Sequence, residues 1–441
     1  MRNPSSSIRL LQPTLCDPNV TQYSGYFDVK PDVHYFFWFF ESVTEDAPLT
    51  FANFHFVMWL NGGPGCSSMG GVFTGPGPCR VTDDGRSMEA VYNPYSWHRY
   101  SNMLFLDQPA GTGFSYGNGT INRTEEGAPL LYETLQLFLE AFPQYSKLPF
   151  HLFGESYASR YVTEYARYIV ERNTAALALD RKILLQTVGF GNPWIDPLYH
   201  YESDPQMTCD STNPFTAPPE TCKKMKEIFR HECMPLLNQC SIMDTIRDCS
   251  AADKSCQAIQ DLFDSTGQSN TDVRIPAIQY TPPQTYARFL NLASTQKQIG
   301  ATVRYTECSN DVRQSFSYSG DIARSSRLSV TFLLDHGIHL LVYVGDVDFL
   351  CNWYGNYALF NDLRWDGADK YRAESLVPWI LNDREVGQIK SSGPLTFIRV
   401  YQAGHVVPYY QPLPSLAMFR AWITNTPLNP LPAIYAGSKE S

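Results

Sequence analysis

The chain has no apolar run that approaches the about 18 residues of a membrane-spanning helix, so a transmembrane span is excluded. It is also poor in positive charge: 34 Lys and Arg residues stand against 44 Asp and Glu residues, giving a formal net charge of −10. Because no basic run is present either, nucleic acid is not expected as a partner. Internal repeats and low-complexity tracts are absent. The 441 residues, 43% hydrophobic and 14% aromatic, suit a globular enzyme with a large core.

The cysteines and the start of the chain give conflicting indications of whether the protein enters the secretory pathway. The first residues lack the apolar segment of a signal peptide. However, six of the eleven cysteines lie between residues 209 and 256, which is typical of a secreted disulfide framework. A zinc site is disfavoured there because no C-x-x-C pair occurs. Asn-x-Thr sequons add Asn19, Asn118 and Asn122 as glycosylation acceptors. The cysteines and sequons carry more weight, so we expect a protein that passes through the secretory pathway.

Residues 152–158 predict a nucleophile on a sharp turn. A strand-like segment precedes Ser156, and a helical segment follows from Tyr157 to Glu171. The motif is close to G-x-S-x-G, with Ala158 in the last glycine position. Such a turn exposes the serine hydroxyl at the N-terminus of a helix, where backbone amides favour developing negative charge. Ser156 is therefore the candidate nucleophile.

Chain order then selects an acid and a base. In proteins whose nucleophile lies on such a strand–turn–helix motif, an Asp or Glu and then a His follow the nucleophile along the chain. Residues 337–345 form an apolar, buried-strand type of run that ends directly in Asp346-Val-Asp348. His405 is the one histidine beyond that point, and it follows a second strand-like run, 395–401. Ser156, an Asp of residues 346–348 and His405 thus form a candidate triad.

An oxyanion hole is expected near the end of an earlier strand. The apolar residues 55–60 run into Asn61-Gly-Gly-Pro-Gly65. Adjacent glycines allow a main-chain N–H to face a ligand without an intervening side chain. The partner amide would be that of Tyr157, the residue after the nucleophile. A phosphate loop is excluded because no Gly-Lys-Ser/Thr follows.

The pattern of elements divides the chain into three parts. Strand and helix patterns alternate up to about residue 198, and the aromatic run 35–40 indicates a buried strand. Residues 199–321 change to cysteine-rich, amphipathic helical segments, and the strand–helix pattern returns in residues 322–441. We therefore expect a core formed by residues 1–198 and 322–441 that carries the candidate triad, with residues 199–321 inserted as a cap that shapes the pocket at the triad.

Seven segments of the chain, in order and at similar spacing, resemble the serine carboxypeptidases, a family of secreted and vacuolar α/β-hydrolases. The segments are Tyr26–Val29 with Phe36–Ser42, Trp59–Ser68, Asn102–Tyr116, Gly154–Ala158, Tyr343–Trp353 and Ala403–Pro408. The resemblance implies the α/β-hydrolase fold, a central and mostly parallel sheet flanked by helices, with a disulfide-rich helical cap. It selects Asp348 over Asp346 as the acid, and it implies no metal or organic cofactor.

The resemblance also implies how a peptide would be held. The amides of Gly63 and Tyr157 would bind the oxyanion, and Asn61, Gly62 and Glu155 would bind the free C-terminal carboxylate of the substrate. It further implies five disulfide bonds and a free Cys351 beside the active site. The pairs are Cys66–Cys308, Cys209–Cys222, Cys233–Cys256, Cys240–Cys249 and, by pairing of the two cysteines left over, Cys16–Cys79.

Two positions depart from the family pattern. Gly75 stands where the family has a second carboxylate-binding Glu, and Ser159 stands where it has Gly. The expected function is a serine carboxypeptidase acting on peptides. The alternative is an acyltransferase or esterase that uses the same triad on a small acyl donor. It is kept open because Gly75 removes one of the residues that bind the terminal carboxylate of a peptide in the family. A non-catalytic binding protein would require a broken triad, and all three triad residues are present.

Overall fold

The computed structural model of the chain describes residues 6–43, 55–119, 121–175, 181–209, 215–279 and 282–431. Eleven strands in these ranges form one sheet, and two more form a separate antiparallel ribbon. The strands are β1 Ser7–Leu11, β2 Gln22–Lys30, β3 Val33–Phe40, β4 Phe56–Leu60, β5 Cys79–Asp83, β6 Met88–Tyr92, β7 Asn102–Leu106, β8 Phe150–Glu155, β9 Leu185–Gly191, β10 His339–Gly345, β11 Val377–Leu381, β12 Arg384–Ser392 and β13 Leu395–Val400.

The sheet has the order β1-β2-β3-β7-β4-β8-β9-β10-β13-β12-β11. Its six central strands, β7 to β13 in that order, are parallel, and the strands at both edges are antiparallel. The mostly parallel sheet predicted from the sequence is confirmed. The first three strands differ from the predicted strand–helix alternation, because a turn of two residues joins β2 to β3 and leaves no room for a helix.

Fifteen α-helices accompany the strands in the ranges that the structure describes. They are α1 Met69–Phe73, α2 Thr124–Ala141, α3 Ala158–Thr174, α4 Pro197–Cys209, α5 Pro219–Ile228, α6 Met234–Met243, α7 Ile246–Asp264, α8 Thr285–Leu290, α9 Ala293–Ile299, α10 Asn310–Ser319, α11 Arg327–Asp335, α12 Trp353–Asp362, α13 Ala368–Ala373, α14 Val407–Tyr410 and α15 Pro412–Ile423. None of the helices in the described ranges is long and apolar enough to cross a membrane.

Helices cover both faces of the sheet, which explains why its strands are apolar on both sides. Strand β3 illustrates this: Tyr35, Phe37 and Phe39 join the core cluster that contains α2 and α3. The alternate residues Phe36, Trp38 and Phe40 join the cluster that contains α15. The aromatic run 35–40 is therefore a buried strand, as predicted.

The helices α4 to α10 lie between β9 and β10 in the chain, and five disulfide bonds are present. Three of the bonds join parts of this helical region: Cys209–Cys222, Cys233–Cys256 and Cys240–Cys249. Cys66–Cys308 ties the glycine-rich segment after β4 to the segment before α10, and Cys16–Cys79 anchors the N-terminal part. These are the pairs that the family resemblance implies, and Cys351 is a buried free thiol.

Candidate active site

Ser156 occupies a sharp turn between β8, which ends at Glu155, and α3, which begins at Ala158. Its φ of +63° lies in the left-handed region, which residues other than glycine rarely adopt. The Ser156 N–H donates to the Gly191 carbonyl at 2.9 Å, which fixes the turn against the end of β9. A Cβ atom on Gly154 would lie 2.8 Å from the Cγ2 atom of Val162, so the close approach of strand and helix requires glycine there.

Asp348 and His405 lie in the loops that follow β10 and β13, at the same edge of the sheet as Ser156. The His405 Nδ1 atom is 2.8 Å from the Asp348 Oδ2 atom. Burial would lower the pKa of His405, but the Asp348 charge and this hydrogen bond raise it overall. The Asp348 carboxylate is fully buried, so an imidazolium at His405 would be stabilised in a low-dielectric environment.

Three more groups hold the Asp348 carboxylate. The Asn192 side chain donates to Oδ2 at 2.7 Å, and the amides of Leu350 and Cys351 donate to Oδ1 and Oδ2. Asn192 did not emerge from the sequence analysis. The feature that could have identified Asn192 is its position directly after β9, at the same edge of the sheet as the other site residues.

Asp346 faces a different partner. Its Oδ2 atom lies 3.7 Å from the Nη2 atom of Arg399, on the neighbouring strand β13. Burial raises the pKa of Asp346, and the Arg399 charge opposes this. Of the two aspartates, only Asp348 contacts His405.

The Ser156 hydroxyl interacts with the Cys351 thiol. Within the described residues, no hydrogen bond joins the Ser156 hydroxyl to the His405 ring. Catalytic hydrogen bonds are often long in ligand-free enzymes and shorten when substrate binds. The structure therefore brings Ser156, Asp348 and His405 to one place, with the acid–base contact already formed.

The two amides predicted to bind an oxyanion lie beside Ser156. Gly63 and Tyr157 both line the cavity at this serine. A Cβ atom on the preceding Gly62 would lie 2.6 Å from the Tyr157 amide nitrogen, so the glycine segment packs directly against the start of α3. The Gly63 and Tyr157 N–H groups make no hydrogen bond to another described residue, so both are free to donate to a ligand.

A buried network fixes Tyr157 from behind. Its hydroxyl donates to the Asp321 carboxylate, which also accepts a hydrogen bond from Thr124 at 2.7 Å. Arg160, on the next part of α3, donates to the Asp321 carbonyl at 2.7 Å. Such a network restricts the backbone at residues 156–157, where an oxyanion donor must be pre-oriented.

Glu155 and Asn61 meet next to Ser156, the candidate nucleophile. The Asn61 Nδ2 atom is 3.4 Å from Glu155 Oε1, whereas Glu155 Oε2 has no hydrogen-bond partner in the part of the chain that the structure describes. Burial is the main reason why the pKa of Glu155 rises to about 7; the Asp348 charge also raises it, and His405 opposes the rise. A carboxyl that is neutral below this pH can donate a hydrogen bond to an anionic ligand.

Asn61 is held in place through its oxygen, which accepts from the Trp59 indole at 2.8 Å and from the Gly71 amide at 3.1 Å. This leaves the Nδ2 group to face Glu155. Gly75, in place of the family Glu, packs against Gly71, so the missing side chain belongs to the same neighbourhood. Ser159, the second departure, donates to the Ser156 carbonyl at 2.8 Å and accepts from the Trp194 amide at 2.9 Å.

One group of side chains in the described ranges has metal-ligand chemistry. Asp348, Cys351 and His405 offer ligand atoms within 4.8 Å of one another. Burial raises the pKa of the Cys351 thiol well above its usual value, whereas metal binding requires a thiolate. The Asp348 oxygens already accept hydrogen bonds from four groups. The donor set therefore suits a hydrogen-bonded triad better than a metal centre.

The three sequon asparagines, Asn19, Asn118 and Asn122, are all exposed. Thr120, which completes the second sequon, lies outside the described residues. Attachment of glycans at these positions stays a prediction.

Comparison with known proteins identifies relatives over nearly the whole length of this chain. The sequence model of the family described as serine carboxypeptidase matches residues 13–425. Carboxypeptidase S1 of Penicillium janthinellum is 36% identical over 427 residues, covering 93% of this chain and 97% of that protein. The vacuolar serine-type carboxypeptidase ATG42 of Saccharomyces cerevisiae is 37% identical over 418 residues, covering 92% and 79%. The crystal structure of Kex1, a prohormone-processing carboxypeptidase of Saccharomyces cerevisiae, shares the fold with a TM-score of 0.77 at 24% identity, covering 94% of each chain. This chain belongs to the serine carboxypeptidase family.

Proposed function

We propose that this protein removes the C-terminal residue of peptides through an acyl-enzyme on Ser156. The observation that carries the proposal is the Asn61–Glu155 pair beside the nucleophile, at 3.4 Å. An amide donor and a carboxyl that is neutral below about pH 7 suit the free carboxylate at the end of a peptide chain.

In the proposed mechanism the Ser156 hydroxyl attacks the last peptide carbonyl and gives its proton to His405 Nε2. Asp348 holds Nδ1–H of the same ring and stabilises the imidazolium that forms. The Gly63 and Tyr157 amides bind the oxyanion of the tetrahedral intermediate. When the intermediate collapses, the C–N bond breaks and the leaving amine takes the proton from His405. A water molecule then repeats the sequence on the ester and releases Ser156.

The same site would orient the substrate through its last residue. Asn61 Nδ2, the Gly62 amide and a protonated Glu155 would contact the terminal carboxylate and place the last peptide bond over Ser156. Fixing the reacting atoms in this way provides much of the rate enhancement in enzymes of this kind.

The disulfide bonds, the exposed sequons and a relative named as vacuolar support a location in the secretory pathway or the vacuole. The division into a core of residues 1–198 and 322–441 and a cap of residues 199–321 stays a prediction. We assign the cap the role of shaping the pocket on the acyl side of the site, since its helices α7 and α10 line the cavity at Ser156.

A second candidate function, acyl transfer or ester hydrolysis, is favoured by one observation. Gly75 leaves the carboxylate site with one carboxyl, Glu155, where the family pattern has two. The triad does not discriminate between the functions, because it governs formation of the acyl-enzyme and not the choice of acceptor.

The test is to incubate the protein with a blocked dipeptide, its C-terminal amide and its methyl ester at pH 5.5, and to follow all three by mass spectrometry. We expect the free acid to be cleaved fastest. Ser156→Ala and His405→Ala should each lower the rate by at least about 10³-fold, since the two residues act as one unit. Labelling by a phosphonofluoridate should disappear in Ser156→Ala. Faster turnover of the ester or amide than of the acid would replace the proposal by the second candidate, and labelling that persists in Ser156→Ala would remove the nucleophile assignment.

A further inference from the structure

A cavity of about 140 Å³ opens at the nucleophile. It is lined by Gly63, Ser156 and Tyr157, and also by side chains of α7 and α10, which form the cap wall of the cavity. This volume lies below the roughly 300 Å³ at which pockets for whole small molecules begin, so the cavity suits a single side chain.

The position of the cavity defines which substrate residue would enter it. Asn61 and Glu155, the proposed carboxylate-binding residues, do not line it. If the scissile carbonyl lies at Gly63 and Tyr157 and the terminal carboxylate at Asn61 and Glu155, the cavity receives the residue before the scissile bond. This step rests on the proposed function.

Asp253 brings a carboxylate to the cap wall of the cavity. Its side chain, on α7, is 7% exposed. Oδ2 accepts a hydrogen bond from Ser317 at 2.5 Å, and no hydrogen bond joins Oδ1 to any residue that the structure describes. Burial raises the pKa of Asp253, and neither the Ser317 hydroxyl nor the Arg313 charge fully offsets this. Because the Arg313 charge does not offset the burial of this carboxylate, a ligand that places a cation directly against it is favoured there.

The rest of the cavity suits a long side chain with a charged end. Trp194, Ile322 and Leu350 provide apolar wall that methylene groups can cover. Gln257 and Gln260 add uncharged polar groups near Asp253. Lys and Arg have this combination of an apolar stem and a cationic head.

We propose that Asp253 is a specificity-determining residue that selects peptides with Lys or Arg immediately before the C-terminal residue. The cationic head would pair with Asp253 Oδ1 at the cap wall, and the stem would lie along the apolar wall next to Ser156.

Arg313 supports a competing hypothesis, in which the cavity prefers an acidic side chain on the substrate. It also lines the cavity, but it is exposed and forms no ion pair with Asp253 or any other described carboxylate. A solvated guanidinium contributes little to binding, whereas the Asp253 carboxylate is desolvated. The observations therefore favour a basic side chain.

The test uses blocked dipeptides Xaa-Leu in which Xaa is Lys, norleucine, Glu or Gln, at pH 7. Norleucine matches the stem of Lys without its charge, and Gln matches Glu. We expect kcat/KM for Lys to exceed that for norleucine by at least about tenfold, and Asp253→Asn to reduce this ratio to about 1–2. The ratio is internal to each variant, so a partly unfolded preparation lowers both rates and leaves the ratio unchanged. Asp264→Asn, a carboxylate at the end of the same helix that does not line the cavity, is the matched control and should keep the wild-type ratio.

A wild-type ratio near 1, or a ratio that Asp253→Asn does not change, would overturn the inference. A preference for Glu over Gln that Arg313→Gln removes would overturn it in favour of the competing hypothesis. Ethyl esters of blocked Lys and norleucine separate this inference from the proposed function, because they load the same acyl pocket without a terminal carboxylate. If only the esters are cleaved and Asp253→Asn removes their Lys preference, the exopeptidase proposal fails and the inference stands. If neither dipeptides nor esters are cleaved, both fail.

Discussion

The Asp348 carboxylate lies 2.8 Å from the Nδ1 atom of His405, across 57 residues of sequence. Strands β10 and β13 are adjacent and parallel, so the loops after them emerge at the same edge of the sheet. Four hydrogen bonds hold the carboxylate, and one of them goes to the histidine. This contact holds the imidazole through Nδ1, so Nε2 is the ring nitrogen that would accept the Ser156 proton in the proposed mechanism.

Asp348→Asn should lower kcat by roughly 10³–10⁴-fold, because an amide cannot stabilise the imidazolium or hold the required tautomer. The matched control is Asp346→Asn, which removes a carboxylate from the same loop. That carboxylate pairs with Arg399 and not with His405, so we expect a loss within about fivefold. Steady-state kinetics on one blocked dipeptide compares the two variants. Equal losses would mean that the acid is not assigned correctly.

The Glu155 carboxyl should give peptide hydrolysis an alkaline limb near pH 7. Below its pKa of about 7 it is protonated and can donate to the substrate carboxylate; above this pH two carboxylates repel, so KM should rise. Glu155→Gln keeps a donor at every pH and should flatten the limb. The measurement is KM for a dipeptide and for its ester from pH 5 to 8.5. The ester has no terminal carboxylate and serves as the control, so an identical limb for both substrates would contradict the role of Glu155.

Gly75→Glu should raise selectivity for a free acid over its amide, because it restores the second carboxyl of the family pattern. Its Cβ atom would lie 3.0 Å from the Gly71 Cα atom and 3.1 Å from the Gly71 carbonyl oxygen, so the loop must shift by a few tenths of an ångström. We expect about 1–3 kcal/mol of lost stability from this crowding.

Gly75→Ala is the control, since it introduces the same crowding without the carboxyl. Thermal unfolding should be lowered similarly in both variants, whereas the acid-to-amide ratio at pH 5 should rise only with Glu. Equal ratios in the two variants would show that position 75 does not reach the substrate. A wild type that already rejects amides and esters strongly would rule out the acyltransferase alternative.

Cys351 should be the one titratable thiol of the denatured, unreduced protein. In the native protein it should react slowly, because it is 1% exposed and burial raises its pKa. Titration with a chromogenic disulfide, with and without denaturant, measures both. Three thiols would mean that Cys16 and Cys79 are not joined, and none would mean that Cys351 forms a bond absent from this structure.

The residues that identify the family and predict the triad can be recognised in the sequence, because each of these motifs is determined by local structure. A turn such as that at Ser156 needs small neighbours, and a buried parallel strand such as β10 needs an apolar run that stops where the loop begins. The sheet has helices on both faces, and the catalytic residues follow one another in a known order along the chain. This order limits the candidates for the acid and the base to the residues after β10 and β13. The five disulfide pairs followed from the resemblance, since spacing alone leaves many pairings open.

Other features depended on packing between segments far apart in the chain. Asn192 reaches Asp348 across 156 residues, and Ser317 reaches Asp253 across 64 residues. No periodicity or motif marks such pairs, because they depend on how β9 lies beside β10 and how the helices of the 199–321 segment pack on one another. The sequence by itself determined the fold class, the family and the identity of the candidate catalytic residues, through short-range patterns. The tertiary structure alone decided which carboxylates are buried and which side chains face the cavity at Ser156, because burial and electric field are properties of the packed chain.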